Sequence, residues 1–149
     1  MLFSVVNILK MPAKDVFHNA VRKALETENW IITDDPLKLD VGGVEMYVDL
    51  GAEKLIAAEK NGTKIAVEVK SFIGTSNIYE FHTAMGQFIN YRVALEEQYP
   101  GRDLYLAVPN GTYKTFFNLQ LIQKIIQRFE VKLIIYDATN EVIVEWKIN

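Results

Sequence analysis

The dipeptide Asn61-Gly62 constrains this chain more than any other feature. It separates two β-rich runs, 46–60 and 63–72, and Asn-Gly is the pair best suited to a two-residue hairpin turn, because both central residues must take positive φ. The two runs are therefore expected to pair antiparallel. Pairing Lys60 with Thr63 sets Glu68 opposite Leu55 and Lys70 opposite Glu53, and opposed residues share a face of the sheet. Asp49 has the same parity and joins them, unless a bulge near Gly51 shifts it by one residue. The other face collects Val48, Leu50, Ile56, Ala58, Ile65, Val67 and Val69, an apolar set that must meet a core. On the polar face Ala57 and Ala66 leave room.

Two carboxylates a few ångström apart raise each other's pKa unless a cation neutralises them. A Mg²⁺ or Mn²⁺ held by Asp49, Glu68, the Val69 carbonyl and waters suits this face. Lys70 would then orient or deprotonate an attacking water and offset charge on a scissile phosphate, with the metal as Lewis acid. The plainer alternative makes Lys70 one half of a solvated cross-strand pair with Glu53 or Glu68, worth under about 1 kcal/mol.

Residues 77–98 read as a helix, with Phe81, Met85, Phe88 and Leu95 on one face and Thr75 or Ser76 as N-cap. Gln87 and Tyr91 stand one turn apart on it. Taken alone, they are a partly buried polar pair on a packed helix. In order along the chain, Val48-Asp49, a hairpin, Glu68-Val69-Lys70 and then Gln87 through Tyr91 resemble the PD-(D/E)XK nuclease superfamily and its RecB-like branch. That resemblance implies a restriction-endonuclease-like α/β fold, catalytic Asp49, Glu68 and Lys70, and DNA-assisting roles for Gln87 and Tyr91 beside the metal.

A closer resemblance runs through nearly the whole chain from Met11. It rests on Met11-Pro12-Ala13-Lys14-Asp15-Val16-Phe17-His18, the Asp49 segment, Val67 to Phe72, Gln87-Phe88, Tyr91 and Ala107-Val108-Pro109. These are similar to the XisH family, whose members are controlling factors for excision of the fdxN element, a DNA segment removed by site-specific recombination in differentiating cyanobacteria. The resemblance implies a DNA-rearrangement role with a small XisI-type partner, and does not make the chain the recombinase. It also directs attention to the first helix, where related nucleases often carry an acidic metal contact. Asp15 stands where a Glu is usual, and His18 follows three residues later on the flank away from Val21 and Leu25. One His beside one Asp falls short of a zinc constellation.

At 149 residues, half of them hydrophobic, the chain suits a single domain, with 1–10 as an N-terminal strand or an extension ahead of a start at Met11. No apolar run approaches membrane-spanning length. Residues 1–10 lack the basic start and cleavage site of a secretory signal. The chain has no cysteine, which excludes disulfides and thiolate metal sites, and a cytoplasmic setting is expected. The net charge of −3 is unusual for a strong non-specific DNA binder, although an acidic metal site reaches phosphate through its cation. No Walker A loop, Rossmann glycine fingerprint, Gly-x-Ser-x-Gly elbow or His-Glu-x-x-His pair occurs.

The remaining pattern alternates. Residues 12–28 form a helix with Pro12 in its first turn, 30–33 a short strand, and 37–43 an irregular stretch or strand edge. Residues 104–108 make a central strand and Asn110-Gly111 a turn, followed by a helix over 115–129 and strands over 131–136 and 142–147. Tyr113, Lys114 and Phe116 serve either nucleic-acid contact or helix-start packing. A homodimer through the last two strands, with Ile143 and Trp146, is one expectation, and a core role for both residues is the other. The sequence thus leads to a metal-dependent endonuclease of DNA excision, with a non-catalytic accessory factor controlling a separate recombinase as the alternative.

Overall fold

A computed structural model describes residues 12–46 and 55–148. In chain order they form α1 (Ala13–Thr27), β1 (Ile31–Asp34), β2 (Leu39–Val41), β3 (Val44–Met46), β4 (Leu55–Lys60), β5 (Thr63–Val69), α2 (Asn77–Gln98) and β6 (Arg102–Pro109). A helical turn at Asn110–Thr112 passes into a π-helical segment, Tyr113–Phe117, and α3 (Gln120–Arg128), β7 (Lys132–Asp137) and β8 (Val142–Lys147) complete the chain.

The Asn61-Gly62 turn has φ of 51° and 83°, both positive as the hairpin demands. Strands β4 and β5 pair antiparallel from Lys60 with Thr63 to Leu55 with Glu68, the register expected from the turn. They lie inside a six-stranded mixed sheet ordered β1-β4-β5-β6-β7-β8, in which β5, β6 and β7 run parallel and the outer strands antiparallel. The β5–β6 connection is α2, the crossover length a parallel pair requires.

Strand parity divides the core into two layers. Ile56, Ala58, Ile65, Val67 and Val69 join Val21 and Leu25 of α1 on one face, with Tyr105, Ile134 and Tyr136. Leu55, Ala57 and Ala66 join Phe81, Phe88 and Leu95 of α2 on the other, with Leu106, Phe117 and Ile126. The opposed pair Ala57 and Ala66 is fully buried in that second cluster, so the space these small side chains leave is filled by the apolar core. Strand β7 contributes to both layers, through Leu133 and Ile135 on one side and Ile134 and Tyr136 on the other, and β8 packs Ile143 and Trp146 against the first. The Trp146 ring lies 5.7 Å from Trp30 in a tilted contact and 5.2 Å from Tyr105 edge to face, and its indole donates to Glu28 Oε1 at 2.9 Å.

Four local expectations are corrected. Residues 37–46 form a separate hairpin, β2 with β3, turning at Gly42-Gly43 with φ of 60° and 80°. Asp40 N in it donates to Gln98 Oε1 at 2.8 Å, tying it to the end of α2. Asn110-Gly111 opens a helical segment in place of a turn, and the helix expected over 115–129 is broken at Asn118-Leu119. The wider π turn changes the helical phase and allows consecutive Phe116 and Phe117 both to be buried, while Leu119 and Phe129 end 54% and 43% exposed. Finally, His18 lies on the buried face of α1 with Val21 and Leu25, because spacings of three and four residues are helical neighbours.

Phe88 of α2 is 1% exposed in the second layer of the core, as is Phe81. Phe88→Ala should cost about 3–5 kcal/mol, read as a lower urea midpoint at unchanged m value.

Candidate functional site

Alternation along β5 sends Val67 and Val69 toward α1 and sends Glu68 toward α2. Glu68 is paired in the sheet with Leu55 on one side and Leu106 on the other, and it is 1% exposed. Lys70 follows just beyond the strand end and is 7% exposed. This is the carboxyl end of parallel strands, where open α/β sheets bind ligands.

Helix α2 supplies the partners. Its N-terminus is fixed by Ser76, whose hydroxyl accepts from Tyr79 N at 3.3 Å, and the apolar spacing then turns Gln87 and Tyr91 toward the sheet. Lys70 Nζ donates to Gln87 Oε1. Tyr91 is half-buried, and its phenol pKa is raised, first by burial and then by the negative charge of Glu68. The Tyr91 ring packs against the core cluster that holds Leu55 and Leu106, the strand neighbours of Glu68, one helical turn from Gln87. The structure therefore brings Glu68, Lys70, Gln87 and Tyr91 together. Asp49 and Glu53 lie outside the described residues.

The main chain at Lys70 is held from both sides. Its N–H donates to Ala107 O at 3.0 Å, prolonging the β5–β6 ladder, and its carbonyl accepts from Tyr136 Oη at 2.9 Å. Two residues on, Phe72 takes φ of 53°, a left-handed conformation that costs a bulky residue on the order of 1–3 kcal/mol. Its ring, 5.4 Å from Phe117 and 6.4 Å from Phe116, is locked in an aromatic cluster that offsets this strain. Neither Tyr136 nor Phe72 was legible as a support of this site, because both act through backbone that only the fold brings near.

A second polar constellation lies on α1. His18 Nε2 is 2.8 Å from Asp35 Oδ1, and Arg22 Nη1 donates to Asp35 Oδ2 at 2.8 Å. An ionised carboxylate can only accept, so Nε2 carries the proton. Burial works to raise the Asp35 pKa, but the hydrogen bonds and charges of His18 and Arg22 outweigh it and hold the carboxyl below its ordinary value. Asp15 is exposed on the same helix, and His18 pairs with Asp35 instead of with it. Sequence reading missed this trio because its acceptor follows a different element, next to Pro36.

Glu68 offers a buried carboxylate and Val69 a carbonyl, hard oxygen donors of the kind a divalent cation takes. Among the described residues no group of three or more His, Cys, Asp or Glu side chains comes together. Also among the described residues, no helix is long and apolar enough to cross a membrane.

Residues 11–144 match the family model described as XisH protein. An XisH family protein from Nostoc punctiforme PCC 73102 is 56% identical over 90% of this chain and 99% of its own, with a TM-score of 0.83. An fdxN element excision controlling factor protein from Anabaena variabilis is 57% identical over 91% of this chain and 99% of its own, also at 0.83. No curated protein matches the chain.

Asp35→Asn should destabilise by about 1–3 kcal/mol, since it strips the charge that pairs with His18 and Arg22. A carboxyl whose folded pKa is lowered stabilises above its unfolded value, and that contribution is lost as pH falls through the folded value. The stability gap between wild type and Asp35→Asn, measured by urea denaturation, should therefore narrow as pH drops from about 5 through the lowered carboxyl range.

Proposed function

The chain belongs to the XisH family, and we propose that it acts in excision of a DNA element as a metal-dependent endonuclease with a restriction-endonuclease-like fold. The observation that carries this reading is the assembly of Glu68, Lys70, Gln87 and Tyr91 at the carboxyl end of β5, the positions that resemble the PD-(D/E)XK pattern with its Q-x-x-x-Y helix. The excision role draws on the Anabaena variabilis protein, described as a controlling factor of fdxN element excision.

Glu68, the Val69 carbonyl and Asp49 would hold a Mg²⁺ or Mn²⁺, which supplies Lewis acidity at a phosphoryl oxygen. Lys70 orients the attacking water and offsets charge on the scissile phosphate. Gln87 accepts from its ammonium and so fixes where that charge sits. Tyr91, kept protonated by burial and by Glu68, donates to a phosphate oxygen. A tightly packed environment strengthens each of these interactions relative to water.

A second reading, in which the protein is a non-catalytic factor that binds DNA or an XisI-type partner and controls a separate recombinase, has its own support. The net charge is −3, and Glu68 and Lys70 are 1% and 7% exposed. A buried polar network of that kind also serves to specify a fold.

The test is cleavage of supercoiled, linear, single-stranded and branched DNA with Mg²⁺ or Mn²⁺, with and without an XisI-type partner. Under the nuclease reading, products depend on metal, and Glu68→Ala and Lys70→Ala each lower the rate by about 10²–10⁴-fold while partner binding persists. Absence of products in every condition, together with excision that survives Lys70→Ala, would establish the accessory reading.

A further inference from the structure

Helix α2 buries one side and leaves the other uncovered. At about 100° per residue, Gly86 stands at the middle of the outer side, opposite Phe88 and Leu95. Along the same outer stripe Tyr79 is 70% exposed, Val93 57% and Ile89 39%. Large apolar side chains exposed along the outer side of a packed helix suit a second packing partner.

We propose that α2 is the interface of a homodimer in which two copies of the helix cross antiparallel at Gly86. Three observations favour a second copy of the chain over another occupant. The outer stripe is symmetric about Gly86. In an antiparallel pair related by a two-fold axis, residues equally far before and after the crossing meet, which sets Tyr79 against Val93 of the second copy. Thr83 falls near Asn90 on one flank, polar against polar, and His82 near Ile89 on the other.

Glycine at position 86 is unexplained within one protomer. Its φ is not positive, and a Cβ added there meets nothing within 4 Å, so the fold itself does not need it. A mid-helix glycine costs about 1 kcal/mol relative to alanine. At a helix crossing it gives a return, because two backbones lacking Cβ atoms approach closely.

The charge pattern of α2 runs against its own dipole. The last turn carries Glu96 and Glu97 and no basic residue, where cations are favoured. In the antiparallel pair each acidic end lies over the N-terminal end of the other helix, where negative charge is stabilised. Gln87 and Tyr91 turn inward to the sheet, so the pairing leaves both sites on the inner sides of the two helices.

The proposal stands apart from whether the site cleaves DNA, and it is tested on the full chain by sedimentation equilibrium across a concentration series. Wild type should sediment as a dimer and Gly86→Glu as a monomer with an unchanged far-ultraviolet circular dichroism spectrum. The chain has no cysteine, so Gly86→Cys should oxidise to a cross-linked dimer across the axis, whereas Glu26→Cys on exposed α1 should not. A wild type monomeric at every concentration, a dimer that survives Gly86→Glu, or equal cross-linking of the two cysteine variants would overturn it.

Discussion

The ammonium of Lys70 has to be satisfied inside the protein, and much of the architecture answers that requirement. A lysine 7% exposed beside a glutamate 1% exposed is tolerated only where hydrogen bonds and opposite charge replace water. Gln87, on the inward side of α2, answers the ammonium. Tyr136 answers the carbonyl of the same residue from β7. The parallel β5–β6–β7 order is what allows both, since it brings the ends of three strands to one edge of the sheet.

Local rules made the frame of the site legible. Asn61-Gly62 fixed the hairpin register, period two separated Glu68 from Val67 and Val69, and the spacing of Phe81, Met85, Phe88 and Leu95 gave α2 its bounds and its inward face. What escaped depends on contacts between elements far apart in sequence. Nothing local to His18 pointed to Asp35, and nothing local to Phe72 pointed to a left-handed backbone braced by Phe116 and Phe117. The Gly42-Gly43 turn was a missed local signal, since paired glycines between short apolar runs suit a two-residue hairpin. The π turn before Asn118 was hidden for a different reason: the 3.6-residue period was imposed on a segment whose phase shifts to bury adjacent rings.

The trio of His18, Arg22 and Asp35 does for α1 what Gln87 does for α2. It ties a helix on one face of the sheet to the segment leaving β1, through a carboxylate whose charge is secured by two donors. Helices on both faces are thus pinned by buried or half-buried polar bonds as well as by apolar packing, and the polar bonds fix rotation about each helix axis in a way that apolar contacts do not.

The bond from Tyr136 to the Lys70 carbonyl also bears on when the site comes into being. It spans 66 residues, while the hairpin that carries Glu68 closes across the two residues of its turn. Short-range pairing forms early, and parallel pairing must first close a long loop. During synthesis the β4–β5 hairpin can therefore be in place well before β7 has emerged. The carboxylate and the lysine are then present on an exposed ribbon, and they become a fixed constellation only with the last third of the chain. Integrity of the site is in this sense a report that the whole sheet has closed.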